Sequence, residues 1–225
     1  MTKTKIQIFS ITSVEDAESV LSLGADHIGF IVGRVRAGRI ITKKQAKEIV
    51  ETTNSKGIRV MVPLTASFDE ILSLTDYVGP EIVHISPYYA DFPVSFIKEL
   101  REKLHEKNVS LMCAIFVEDE RSVEVALEIK DSVDYIKLDT KTFTGIGFSG
   151  KFHSWETSKE IVKKAHVPVF LAGGLSIENV CKAIEIVNPY GVDATSSLDL
   201  HPETGKKDLA KVKRFIENVR ECERM

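Results

Sequence analysis

A few short stretches of this chain carry side chains suited to chemistry. Residues 171–175 read Leu171-Ala172-Gly173-Gly174-Leu175, followed by Ser176 and the helical run Ile177-Glu178-Asn179-Val180. Paired glycines at such a corner let a ligand approach the backbone, and N–H groups exposed there suit a phosphate. A second set of small donors follows at Asp193-Ala194-Thr195-Ser196-Ser197. Asp139 ends the run Tyr135-Ile136-Lys137-Leu138-Asp139-Thr140, and a carboxyl ringed by apolar residues acquires the raised pKa of a general acid. The bland readings are a tight corner for the glycine pair and a loop or helix cap for Asp139. Arg39 offers a planar guanidinium of the kind that clamps carboxylates, whereas Arg34 and Arg36 read as solvated. For proton abstraction near neutrality His84 has the best intrinsic pKa, and Cys113 is the alternative thiol; ordinary packing accounts for either. The three cysteines, Cys113, Cys181 and Cys222, are widely separated with no Cys-x-x-Cys. They are expected to be reduced, mostly buried thiols, with neither a zinc site nor a disulfide framework.

These residues need a frame, and the apolar patterning supplies one. Short β-rich runs at 5–11, 26–32, 58–63, 81–85, 109–117, 133–138, 167–171 and 191–195 alternate with helical runs that begin near Ser13, Thr42, Ser67, Pro93, Glu118, Ser154, Ser176 and Lys207. Several of these helices open on an N-capping Ser or Thr, and Ser13 with Asp16 resembles a capping box. Strands this apolar, joined by helices rather than hairpin turns, predict a parallel sheet covered by helices. Eight such units predict an α/β fold, a single (β/α)8 TIM barrel, with a doubly wound open sheet as the alternative. In a barrel, chemistry sits at the carboxyl ends of the strands, and the loops after strands 7 and 8 commonly hold phosphate. Two long loops stand out: 33–41, with Arg34, Arg36 and Arg39, and 140–153, with Gly145, Gly147 and Gly150. Alternation puts Asp139, Lys137 and Tyr135 on one face of their strand without saying which face is inward.

The 225 residues form one domain, 1–225, with 43% hydrophobic and 28% charged residues and a net charge of −3. That composition excludes disorder, and with no basic cluster it argues against a nucleic-acid partner. No apolar run approaches the roughly 20 residues of a membrane helix, so no membrane partner is expected. The N-terminal residues lack a secretory h-region, which predicts a cytoplasmic protein. Monomer and homodimer are both compatible with the sequence.

An ordered series of motifs runs along nearly the whole chain. It comprises Ile11-Thr12 with Glu15-Asp16-Ala17, Gly24-Ala25-Asp26-His27-Ile28-Gly29-Phe30, Arg39, and Leu138-Asp139-Thr140-Lys141. It continues with Gly150-Lys151-Phe152 and Trp155, Leu171-Ala172-Gly173-Gly174-Leu175 with Glu178-Asn179-Val180, Pro189-Tyr190-Gly191-Val192-Asp193 with Thr195-Ser196, and Gly205-Lys206-Lys207-Asp208. On these residues the sequence resembles the phosphoribosylanthranilate isomerase family, single-domain (β/α)8 enzymes of tryptophan biosynthesis. The resemblance implies an Amadori rearrangement of a phosphorylated sugar amine, a small phosphorylated metabolite, to a ketose, with no cofactor and no metal. It places the acid that opens the furanose ring at Asp139, a clamp for the anthranilate carboxylate at Arg39, and the phosphate around Gly173, Gly174, Ser196 and Ser197.

The chain also departs from the family motifs. Where the family reads Lys-Ile-Cys-Gly-Ile-Thr, with the cysteine thiolate removing the C2 proton, this chain reads Gln7-Ile8-Phe9-Ser10-Ile11-Thr12. A phenyl ring accepts no proton. The Gln-Leu-His-Gly motif is here His84-Ile85-Ser86-Pro87, and the glycine of the Ser-Ser-Gly phosphate turn is Ser197, a residue that disfavours positive φ. Two functions follow: an isomerase with Asp139 as acid and a base drawn from His84 or Cys113, or a paralogue that binds a phosphorylated ligand without isomerising it, or acts on another such metabolite. The direction of the Phe9 ring distinguishes them: pointing inward beside Asp139 it blocks the proton-transfer geometry, whereas turned into the sheet–helix layer it leaves another residue to serve as base.

Overall fold

The computed structural model describes residues 3–86, 92–140, 154–201 and 204–224. Lys141, Gly145, Gly147, Gly150, Lys151, Phe152 and Pro87, singled out by the sequence, lie outside the described residues. The strands are β1 (Lys5–Ile8), β2 (His27–Gly33), β3 (Ile40–Thr42), β4 (Ile58–Pro63), β5 (Ile82–Ile85), β6 (Ser110–Phe116), β7 (Tyr135–Asp139), β8 (Val169–Leu171) and β9 (Gly191–Ala194). Every strand pairing is parallel. Because β1 pairs with β9 on one side and β2 on the other, the sheet closes into the predicted eight-stranded barrel. The ninth strand, β3, was not expected: within the arm 33–42 the chain turns back at Ala37 and lays Ile40–Thr42 beside the carboxyl half of β2.

The helices are α1 (Val14–Ser22), α2 (Lys43–Thr52), α3 (Phe68–Val78), α4 (Val94–His105), α5 (Arg121–Ile129), α6 (Trp155–Ala165), α7 (Val180–Val187) and α8 (Leu209–Cys222). Ser13, Thr42, Ser67 and Ser154 each accept a backbone N–H from three residues on, which fixes where α1, α2, α3 and α6 begin. The reciprocal capping box belongs to Thr42 and Gln45. Alternate strand residues, among them Ile6 and Ile8, Val83 and Ile85, Ile136 and Leu138, Val192 and Ala194, are buried against the helices in one continuous core. Their neighbours along each strand therefore point into the barrel. At the amino end of the barrel interior, Val60, Ile82, Met112 and Phe170 form a separate apolar plug. Gly191 belongs to that plug by omission, since a Cβ there would collide with the Phe170 ring.

One expectation is corrected. Cys181, on α7, and Cys222, at the end of α8, are joined by a disulfide with 5.6 Å between their Cα atoms. The fold brings them together because consecutive crossover helices lie side by side, a proximity that the sequence separation of 41 residues hides. Asn218 of α8 also donates to the carbonyl of Ile177, in the turn that leads into α7, at 2.8 Å. Closing a loop of this length is worth about 4 kcal/mol. Cys222→Ser is expected to lower the melting temperature by several degrees under non-reducing conditions and to leave it unchanged in excess reductant, as measured by calorimetry.

Candidate active site

Asp139 is the last residue of β7, at the rim formed by the carboxyl ends of the strands. Ile136 and Leu138 face the helices, so Tyr135, Lys137 and Asp139 face inward. This settles what alternation left open. The Asp139 side chain keeps 22% exposure, enough for a ligand to reach it from the rim. Oδ1 accepts the Thr140 N–H at 2.8 Å, and Oδ2 lies 3.9 Å from Lys137 Nζ. Burial raises the pKa of this carboxyl above the usual value; Lys137 and the Thr140 N–H pull it back, and Asp193 adds to the rise. A carboxyl that resists ionisation is a proton donor.

Below it the barrel interior is polar. Lys137 Nζ meets Asp193 Oδ2 at 2.7 Å, and Gln7 Nε2 donates to Asp193 Oδ1 at 3.0 Å. Phe9 lies just beyond β1 and turns inward: its ring centroid is 4.4 Å from Lys137 Nζ and 5.9 Å from the His84 ring, which it meets edge-on. Gly29 on β2 makes room for that ring, because a Cβ there would overlap it. The phenyl group thus occupies the inward position beside the Lys137–Asp139 pair that the resemblance assigns to a base.

The two residues named as replacement bases fare differently. His84 belongs to the cluster but is only 3% exposed, with neither ring nitrogen hydrogen-bonded. Burial, with help from Lys137, holds its pKa well below the ordinary histidine value, so it stands neutral and closed off beside Phe9. Cys113 lies with Leu111 and Ile115 in the layer between sheet and helices. Its thiol is pushed up to about 12 by burial. It points away from the barrel interior and takes no part in the site.

The glycine corner stands on the same rim. Ala172 N–H donates to the Leu138 carbonyl at 2.8 Å, which sets Gly173 and Gly174 beside the end of β7. Both glycines have positive φ, 81° and 80°. Among the described residues neither of their N–H groups has a protein acceptor. Asn179 secures the corner by accepting from Ser176 N–H at 2.8 Å and donating to the Gly174 carbonyl at 3.0 Å. Ser197 Oγ donates to the Leu175 carbonyl at 2.6 Å and so ties the loop after β9, with Ser196, to the loop after β8. The expected strain at Ser197 does not arise. It falls instead on Ser10, φ 62°, which stands where the family motif has glycine.

Arg39 is buried, and its guanidinium meets Asp199 Oδ2 at 2.5 Å. Lys207 Nζ takes the other oxygen at 2.6 Å, and both of these side chains are fully buried. Lys207 is further held through its backbone N–H, which donates to Asp16 at 3.2 Å. Gly205, φ 71°, lets the chain pass: a Cβ there would press on the Ser10 carbonyl and the Arg39 stem at about 3.1–3.2 Å. Sequence reading missed the roles of Asp193, Lys137, Asp199 and Lys207. The alternation of β7 flags Lys137 once Asp139 is known to face inward; nothing local flags the partners of Arg39, which lie far along the chain.

Comparison with known proteins is consistent along the whole chain. The family described as "N-(5'phosphoribosyl)anthranilate (PRA) isomerase" matches residues 6–218. The N-(5'-phosphoribosyl)anthranilate isomerase of Methanocella arvoryzae is 35% identical over 217 residues, covering 96% of this chain and 98% of that protein. The one from Methanosarcina acetivorans is 34% identical, covering 97% of this chain and 94% of that protein. Among solved structures, phosphoribosylanthranilate isomerase from Thermotoga maritima superposes with a TM-score of 0.82 at 31% identity, over 97% of this chain and 99% of that one. A phosphoribosylanthranilate isomerase in complex with reduced 1-(o-carboxyphenylamino)-1-deoxyribulose 5-phosphate gives 0.79 at 29% identity, with the same coverage.

The raised pKa of Asp139 has a consequence for stability. A carboxyl whose pKa is higher in the folded than in the unfolded state contributes stability that is fully present below the unfolded value, near pH 4, and is lost as pH rises through the folded value. Asp139→Asn, which keeps an acceptor for Thr140 N–H, removes that loss. The variant is expected to melt above the wild type at pH 8, with the difference shrinking toward pH 4, in thermal denaturation followed by circular dichroism.

Proposed function

The chain belongs to the N-(5'-phosphoribosyl)anthranilate isomerase family, and from that premise we propose that it isomerises N-(5'-phosphoribosyl)anthranilate in tryptophan biosynthesis, with Asp139 as the general acid. The observation that carries this reading is the protonation-prone Asp139 carboxyl on the same rim as the Gly173–Gly174 corner. The substrate phosphate rests on the backbone at Gly173 and Gly174 with Ser196 and Ser197 beside it, and Arg39 faces the anthranilate carboxylate. Asp139 gives its proton to the furanose ring oxygen, the C1–O bond breaks, and the nitrogen lone pair forms an iminium at C1. Loss of the C2 proton then gives an enolamine, which becomes the ketose when C1 takes up a proton and the C2 hydroxyl gives one up. No step calls for a cofactor. A phosphorylated substrate does not cross membranes unaided, so the enzyme works in the compartment that makes its substrate, and the cytoplasm is the compartment proposed.

The inward Phe9 ring blocks the proton-transfer geometry of the family motif and so speaks for the non-isomerising alternative; the family match over residues 6–218 outweighs it, and the C2 step is where this chain is handicapped. Phe9 occupies the base position, and His84 sits neutral and enclosed beside it. A positioned base is worth about 10² to 10⁴ in rate, so turnover is expected to be slow. In a fluorescence assay of substrate consumption, Phe9→Cys is expected to raise kcat by about 10² or more, since a thiol there can accept the proton. Asp139→Asn is expected to abolish turnover, and inorganic phosphate to compete with substrate. Fast turnover that survives Asp139→Asn contradicts the assignment of the acid. Ligand binding with no turnover in either wild type or Phe9→Cys supports the non-isomerising alternative instead.

A further inference from the structure

Lys137 is 3% exposed on the inward face of β7, and the reaction as described does not use it. Its ammonium is held by groups from different parts of the barrel. Asp193 of β9 takes it at 2.7 Å, the Phe9 ring just past β1 lies 4.4 Å away, and the Asp139 carboxyl is at 3.9 Å. Gln7 of β1 fixes Asp193 from the other side by donating to its second oxygen at 3.0 Å. At 3.9 Å the ammonium is beyond hydrogen-bonding range of Asp139 and acts through its field.

We propose that Lys137 is a positioning residue for the reaction: clamped between Asp193 and the Phe9 ring, its ammonium orients the Asp139 carboxyl and stabilises the carboxylate left when Asp139 gives its proton to the ring oxygen. The inference rests on the reading of Asp139 as the acid. The balance of charges fits that role. Burial shifts the pKa of the carboxyl upward, while a cation held in place by Asp193 lowers the cost of the charge that appears during ring opening. Among the described residues, the charged or titratable groups facing Asp139 are Lys137 on its own strand, Asp193 on β9 and, through the same cluster, the neutral His84 on β5. Lys137 is the cation among them.

The test is a pH titration of the Asp139 side chain by carbon-13 NMR in protein labelled at the aspartate carboxyl, the signal being assigned by its loss in Asp139→Asn. Lys137→Met is expected to raise the Asp139 midpoint by about one to three units. It is also expected to lower kcat with little change in KM, and to carry the basic limb of the pH–rate profile upward by the same shift. Removing one partner of the buried pair endangers folding, so Lys137→Met with Asp193→Asn is titrated in parallel; a smaller rise is expected there, because the opposing charge of Asp193 has also gone. A midpoint unmoved in both variants overturns the inference, and if the wild type turns over substrate the isomerase reading still stands. A raised midpoint in protein that turns over no substrate keeps the Lys137–Asp139 coupling and removes the isomerase reading instead.

Discussion

The site depends on one electrostatic balance: at the end of β7, burial pushes the pKa of the Asp139 carboxyl up while a neighbouring lysine pulls it down. An isolated ion pair at this spacing would ionise the carboxyl and spoil it as an acid. The barrel tempers this by giving Lys137 a nearer anion, Asp193 at 2.7 Å against 3.9 Å for Asp139, which shares the ammonium charge. Burial then decides the state of Asp139. The arrangement follows from the pleat of β7. Residues two apart share the inward face, so a lysine placed there to satisfy Asp193 is a neighbour of Asp139.

A second buried charge cluster holds the rim loops together. Asp199 receives Arg39 on one oxygen and Lys207 on the other, and this joins the arm after β2 to the loop after β9. Such a cluster adds little net stability over apolar packing, but loss of one partner costs about 3–5 kcal/mol because a charge is stranded in the interior. Its value here is positional. The guanidinium is held in one place on Asp199. The close fit of Gly205 against Ser10 and Arg39 packs the start of the α1 unit onto the same cluster, so three rim loops are set by one carboxylate.

The barrel itself was legible in the sequence because its signals are local. Apolar runs, capping hydroxyls and the absence of hairpin turns each report on a few neighbouring residues; together they predict a parallel sheet covered by helices, and the count of eight units favours closure over a doubly wound sheet. The rim position of Asp139 and of the glycine pair followed from where their strands end. Features that depend on distant parts of the chain were not legible. The inward face of β7 is defined only when the helices cover the other side, and the partners of Arg39 lie in the last quarter of the chain. The Cys181–Cys222 bond joins adjacent helices that no local pattern identifies as adjacent. Strain was expected at Ser197 and occurs at Ser10, because the loop after β9 adopts a 3-10 turn that any residue accommodates while the loop after β1 keeps its left-handed residue.

Phe9 is the departure from the family motif that bears on the base, and it is built into the barrel: Gly29 clears its volume, Lys137 faces its ring, and His84 meets its edge. Such a residue is part of the packing, so its effect on function is to be judged with a ligand in place. The most direct test is a crystal structure with reduced 1-(o-carboxyphenylamino)-1-deoxyribulose 5-phosphate. The account predicts the phosphate on the Gly173 and Gly174 N–H groups, the carboxylate toward Arg39, and Asp139 within hydrogen-bonding distance of the sugar oxygens. A ligand bound elsewhere, or bound there with the Asp139 carboxyl turned away from the sugar, contradicts it.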